Sequence, residues 1–189
     1  MKKRFIFALG LVLLATTALA HEKYYSMGNL KPRDSELKVA TGDMAPDFEL
    51  PSVSGGTVRL SDYRGKKNVI LSFVPAAWTP VCSDQWPGYN IAQEIFEELD
   101  TVLIGISVDN TPSQAAWTES MNTITFPVLS DFWPHGGVSD AYGVLRSDGI
   151  AERALFVIDK KGMIRFIDVH DINSRPDLGV LVKALQALE

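Results

Sequence analysis

The chain predicts an α/β fold with a central mixed β-sheet flanked by helices, and three observations carry that reading. Two near-continuous apolar runs, residues 69–74 and 102–108, have the composition of strands buried on both faces. A helix-opening pair follows each run, Thr79-Pro80 after the first and Thr111-Pro112 after the second. Beyond residue 150 the order changes: two strands, 155–158 and 164–169, are joined at Lys160-Lys161-Gly162 and followed by an amphipathic helix over 178–188. Strands that first alternate with helices and then close in a hairpin place parallel and antiparallel pairs in one sheet.

Taken in order, residues 1–20 read as a signal peptide rather than as part of the fold. Lys2-Lys3-Arg4 is a basic start, residues 5–15 are apolar, and Ala18-Leu19-Ala20 is a small-residue cleavage site. The apolar run falls short of the roughly 20 residues of a comfortable membrane span, which leaves an uncleaved anchor as the alternative. Residues 21–43 are polar, carry Gly28, Pro32 and Gly42, and lack periodicity. They read as an extended arm, either a mobile leader or a segment that packs on a partner subunit. The domain proper spans 44–189. Residues 48–50 and 57–60 flank Ser54-Gly55-Gly56 as an N-terminal β-hairpin, and Ser61 is placed to cap a short helical turn reaching Arg64.

The helix opened by Pro80 contains Pro87-Gly88, which predicts a kink, with Ile91, Ile95, Phe96 and Leu99 as the apolar stripe beyond it. The helix after Thr111-Pro112 runs to about Met121. Residues 126–129 read as a short strand and 139–142 as a short helix. No repeat, low-complexity tract or second domain interrupts the pattern.

Composition narrows the function. Removing the first 20 of 189 residues leaves 169, enough for one sizeable core. The same cut removes Lys2, Lys3 and Arg4, so 15 basic residues face 23 acidic ones, for a net charge of −8. An acidic exported chain without a basic stripe is a poor partner for nucleic acid or an anionic membrane. His21, His135 and His170 show no metal-ligand spacing, no second cysteine completes a zinc or copper set, and neither a P-loop nor a dinucleotide fingerprint is present. No cofactor is expected.

Cys82 is the single cysteine. With Thr79 as N-cap, its hydroxyl accepting an orphan N–H, and Pro80 in the first helical position, Cys82 lands in the first helical turn. There the free N–H groups and the helix dipole favour a thiolate, the nucleophilic form. The competing reading is a buried structural cysteine, since a free thiol packs as a small hydrophobe.

The segment Pro75-x-x-x-Thr79-x-x-Cys82 resembles the active-site motif of the peroxiredoxins, in the alkyl hydroperoxide reductase and thiol-specific antioxidant group. Three further blocks are similar to that family in the same order: Phe126-Pro127-Val128-Leu129-Ser130-Asp131, Ala141-Tyr142-Gly143-Val144, and Arg153-Ala154-Leu155-Phe156-Val157-Ile158-Asp159 with Gly162. The resemblance runs from about Gly42 to the C-terminus. It implies a thioredoxin-like fold and a peroxide substrate, with Cys82 as the peroxidatic nucleophile. It gives Thr79 the task of hydrogen-bonding the peroxide oxygen, beside the plain capping role. It makes Pro75 a rigid shield for the thiolate, where the residue alone reads equally as a strand terminator. It sets Arg153 facing the thiolate, where a lone arginine at a strand end is more often a solubilising charge.

Two positions depart from the family pattern. Many relatives carry glutamate three residues after the cysteine, where it orients the arginine; here it is Gln85, which accepts a hydrogen bond but brings no charge. A resolving cysteine is also missing, which resembles the one-cysteine type and implies an external thiol reductant, either a thioredoxin-like protein or a low-molecular-weight thiol. The resemblance further implies a homodimer or larger homo-oligomer. Trp78, Trp86, Phe132 and Trp133 read as core, as an aromatic wall near Cys82, or as a dimer contact. Two other functional classes compete. One is a non-catalytic redox sensor or holdase using Cys82 as its single reactive thiol. The other is a dithiol oxidoreductase or copper chaperone of the same fold, which the absence of a Cys pair disfavours.

Overall fold

The computed structural model describes residues 24–121 and 124–188. The signal-peptide reading of residues 1–20 lies outside the described residues. Two sheets are present among them. Strands β1 (Glu49–Pro51) and β2 (Thr57–Arg59) form the expected hairpin. The central sheet contains β3 (Asn68–Phe73), β4 (Thr101–Ser107), β5 (Val128–Ser130), β6 (Ala154–Ile158) and β7 (Ile164–Val169), in the spatial order β5-β4-β3-β6-β7. Strand β3 is parallel to β4, and β4 to β5, whereas β6 runs antiparallel to both β3 and β7. The helices are α1 (Pro80–Ile91), α2 (Gln93–Glu98), α3 (Thr111–Met121), α4 (Gly137–Tyr142) and α5 (Leu178–Gln186). This is the thioredoxin-like arrangement of a mixed sheet between helical layers.

Alternation along the strands divides the core in two. Val69, Leu71 and Phe73 point with Ile104, Ile106 and Phe156 to one face, beneath the hairpin and α4. Ile70 and Val74 point with Leu103, Leu155 and Val157 to the other, beneath α1, α2, α3 and α5. Because successive strand residues face opposite sides, only an apolar run without polar interruptions fills both layers. Ser72 interrupts the run in β3, a buried hydroxyl on the α1 face.

Two local expectations are corrected, the Ser61 cap and the apolar stripe. The short turn is a 3₁₀ segment, Leu60–Tyr63, and Ser61 does not cap it: the Ser61 N–H donates to the Asp47 carboxylate at 2.9 Å, so the acceptor comes from 14 residues away. Helix α1 continues through Pro87 to Ile91, and the break falls at Ala92, whose N–H turns back to the Tyr89 and Asn90 carbonyls. That shift rotates the stripe. Cys82, Trp86, Tyr89, Ala92 and Phe96 are buried, while Ile91 is 86% exposed and Ile95 42%. The four aromatic residues near the motif do not form one wall. Trp86 stacks on Trp117 in the core at a 4.7 Å centroid distance, whereas Phe132 and Trp133 stand exposed in the loop before α4.

The described part of the arm, residues 24–43, is extended and lies on its own domain. Tyr25 N–H donates to the Trp78 carbonyl at 2.6 Å, Ile172 N–H to the Pro32 carbonyl at 3.2 Å, and Gly42 N–H to the Ile164 carbonyl at 2.8 Å. The described part of the arm is therefore not a free leader, because its backbone groups find partners within the same chain.

Candidate active site

The site forms where three chain segments leave the sheet on one edge. Antiparallel pairing sets Phe73, the last residue of β3, opposite Ala154, the first of β6, and sets Ala154 opposite Val169, the last of β7. The loop from Pro75, the residue Arg153 and the segment after His170 therefore emerge together. Pro75 is buried in this loop. Trp78 takes a left-handed backbone, φ 63°, a conformation sparsely populated by non-glycine residues that concentrates at functional sites. The Ala77 N–H is held by the Asp109 carboxylate at 2.8 Å, which ties the loop to the end of β4.

Thr79 is the N-cap by backbone, and Pro80 opens α1 as expected. Its side chain does not cap. The hydroxyl instead donates backward to the Ala76 carbonyl at 2.9 Å, which corrects the sequence reading. With its proton spent there, the buried hydroxyl keeps its lone pairs for an incoming donor.

Cys82 is fully buried, and its sulfur lies 3.6 Å and 3.7 Å from the two terminal nitrogens of Arg153. Arg153 is itself only 2% exposed. It is fixed by neutral acceptors: the Ile172 carbonyl takes Nε at 3.1 Å and Nη2 at 2.9 Å, and Gln85 Oε1 takes Nη1 at 2.6 Å. Among the described residues no carboxylate forms an ion pair with Arg153. A buried cation needs a counter-charge, and the nearest group able to supply one is the Cys82 sulfur.

Gln85 is well suited to its departure from the family pattern. While Oε1 accepts from Arg153, its Nε2 reaches the Tyr89 hydroxyl at 3.2 Å and Ser72 Oγ at 3.4 Å. Ser72 Oγ also accepts from the Trp86 indole at 3.2 Å. Burial pushes the Tyr89 phenol up, so it stays neutral. The arginine is thus anchored by a neutral amide network, which preserves its full charge toward the sulfur.

All five sequence candidates, Pro75, Thr79, Cys82, Gln85 and Arg153, therefore meet on one edge of the sheet. Sequence reasoning missed Ile172, Asp109 and Ser72. Ile172 acts through a backbone carbonyl, which no side-chain pattern reveals, and Asp109 and Ser72 read as ordinary loop and strand residues. Among the described residues no cluster of three His, Cys, Asp or Glu side chains is arranged to hold a metal.

The AhpC/TSA family profile matches residues 41–167. The chain belongs to that family, the peroxiredoxins. It is 41% identical over 148 residues to alkyl hydroperoxide reductase E of Mycobacterium tuberculosis, covering 78% of this chain and 96% of the relative. It is 35% identical over 162 residues to a chloroplastic 2-cysteine peroxiredoxin of Chattonella marina, covering 81% and 82%. Its fold is similar to that of the reduced 2-Cys peroxiredoxin of Plasmodium vivax, with a TM-score of 0.75 at 28% identity over 78% of this chain and 81% of that one. The single cysteine makes this peroxiredoxin a one-cysteine member.

Proposed function

We propose that this peroxiredoxin reduces hydrogen peroxide or small organic hydroperoxides through Cys82 and is recycled by an external thiol. The observation that carries the reading is the buried guanidinium 3.6 Å from the only thiol, with no carboxylate paired to it. The Cys82 thiolate attacks one peroxide oxygen, the O–O bond breaks, and the departing oxygen takes a proton to leave as water or an alcohol. Cys82 becomes a sulfenic acid, oxidised by two electrons. One reductant thiol then condenses with it, releasing water and forming a mixed disulfide. A second thiol attacks that disulfide and restores the Cys82 thiol.

Each neighbour has a role in this scheme. Arg153 stabilises the thiolate and the negative charge that develops on the departing oxygen. The Thr79 hydroxyl, its proton committed to Ala76, accepts the peroxide O–H and orients the O–O bond. Pro75 shields the sulfur with a surface that offers no N–H. Gln85 and the Ile172 carbonyl position Arg153. The reductant is a thioredoxin-like protein or a low-molecular-weight thiol. The basic, apolar and small-residue pattern of residues 1–20 supports export, to a periplasm or beyond. No helix among the described residues is long and apolar enough to cross a membrane. A homodimer or larger homo-oligomer is part of this proposal, as the family resemblance implies.

The test is to titrate reduced protein with peroxide and follow intact mass beside non-reducing gels. Peroxide alone drives one turnover and stalls at sulfenic acid, excess drives it to sulfinic acid, and added small thiol restores cycling. Cys82→Ser consumes no peroxide. Rapid and complete Cys82–Cys82 dimerisation would move the protein to the redox-sensor class. A fully buried sulfur weighs against that outcome, because a disulfide needs Cα atoms within about 7 Å.

A further inference from the structure

A cavity of ≈310 Å³ opens on the functional edge of the sheet. Its floor is Thr79, Pro80, Val81 and Arg153, and one side is Ile172 and Asn173. Its outer wall is residues 26–30 of the N-terminal arm. That wall precedes residue 41, where the family match begins. The peroxide-handling floor is therefore common family structure, and the wall is supplied by a segment outside it.

The wall is firmly held. The Asn173 amide pairs with both backbone groups of Leu30: Oδ1 accepts its N–H at 2.9 Å, and Nδ2 donates to its carbonyl at 2.9 Å. The adjacent Ile172 holds Pro32 through its N–H and Arg153 through its carbonyl. Further along, the buried Arg146–Glu152 pair clasps the arm, Arg146 donating to the Lys31 carbonyl at 3.1 Å and Glu152 accepting the Asp34 N–H at 2.5 Å. Tyr25 fastens the other end to the Trp78 carbonyl. A segment anchored at both ends to the site keeps a defined shape in front of it.

The lining mixes polar and apolar groups. Thr79, Arg153, Ser26, Asn29 and Asn173 supply polar groups, and Met27, Leu30, Pro80, Val81 and Ile172 supply apolar surface between them. A water occupies about 30 Å³ of liquid, so the two oxygens of hydrogen peroxide leave most of the cavity unfilled. We propose that Met27 and Leu30 are specificity determinants of the peroxide site, holding the compact hydrocarbon substituent of an organic hydroperoxide whose O–O end lies at Thr79 and Arg153. Asn173 is the positioning residue that keeps this wall in place. The proposal rests on the peroxide-reductase reading.

The experiment compares the bimolecular rate constants for Cys82 oxidation by cumene hydroperoxide and by hydrogen peroxide, using full-chain protein. The readout is their ratio, which a smaller fraction of active protein does not move. Met27→Ser and Leu30→Ser each remove apolar contact with the substituent, and the ratio falls about threefold, the effect of roughly 25 Å² of lost apolar contact. Asn173→Ala frees the wall and lowers the ratio severalfold while leaving the lining residues unchanged. Met27 is half-buried and no side-chain hydrogen bond fixes it among the described contacts, so Met27→Ser carries the test should Leu30→Ser fail to fold. A ratio within twofold of wild type in all three variants overturns the role of the arm. Failure of the wild-type protein to consume either peroxide is a different result, and defeats the peroxide-reductase reading itself.

Discussion

Replacing Arg153 separates charge from geometry at the sulfur. In Arg153→Met the side chain keeps much of its length but loses its charge and every donor. At 3.6 Å and an effective dielectric of about 20, Coulomb's law assigns about 5 kcal/mol to a guanidinium–thiolate contact. Water entering the variant cavity recovers part of this, and half of it corresponds to roughly 10²-fold in rate. The variant also leaves Gln85 Oε1 and the Ile172 carbonyl buried without donors, at about 1–3 kcal/mol of stability each. Arg153→Lys keeps the charge, but an ammonium cannot reproduce the planar fork that serves Ile172, Gln85 and the sulfur together. Its expected loss is about tenfold. The assay is single-turnover oxidation of Cys82 by hydrogen peroxide, followed by rapid quench and intact mass, with near-ultraviolet circular dichroism to confirm packing around Trp86 and Trp117. A folded Arg153→Met that oxidises within threefold of wild type refutes the argument that the guanidinium supports the thiolate.

Two further outcomes follow from particular contacts. Thr79→Val removes the hydroxyl from a buried position and lowers the oxidation rate by around 10²-fold, the scale of one lost preorganised group, while Thr79→Ser stays near wild type; equal rates in the two variants would remove Thr79 from the chemistry. Away from the site, hydrogen bonds from Lys160 and Lys67 hold the Asp100 carboxyl at about 2, below its ordinary value of 3.8. A depressed carboxylate stabilises the fold above its unfolded value and loses that contribution as pH falls through its folded value. Wild type therefore exceeds Asp100→Asn in thermal midpoint near neutrality, and the gap closes between about pH 4 and pH 2. Asparagine is the suitable replacement because Asp100 has a positive φ of 53°, which asparagine tolerates. A gap that is constant with pH would assign the effect to something other than this carboxylate.

Local chemistry made much of this protein legible from its residues in order. Apolar runs long enough to fill both layers identified β3 and β4, and a Gly-rich turn between short strands identified the hairpin. Thr79 and Pro80 placed Cys82 in a first helical turn, and the motif blocks named Pro75, Gln85 and Arg153 as its company. Each of those signals sits within a few residues of what it specifies. Direction and exposure were less legible. The Thr79 hydroxyl donates to the Ala76 carbonyl three residues back and makes no bond with the first-turn N–H groups. Ile91 reached solvent because α1 ran on through Pro87 and carried its buried stripe to Tyr89 and Ala92.

Sequence alone determined the single thiol, its helix turn and the identity of the cation that faces it, since these depend on residue type and near neighbours. Only the tertiary structure decided how they meet. The strand order β5-β4-β3-β6-β7 brings Arg153 to Cys82 across 71 positions, and Asn173 to Leu30 across 143. The Ile172 carbonyl that steers the guanidinium belongs to the backbone, which every residue carries alike, so nothing in its letter marks it. The arm became a wall of the site because its unpaired backbone groups found acceptors and donors on the segment that holds Arg153. Such pairing is settled by sheet geometry and the requirement that buried polar groups be satisfied, not by any short pattern along the chain.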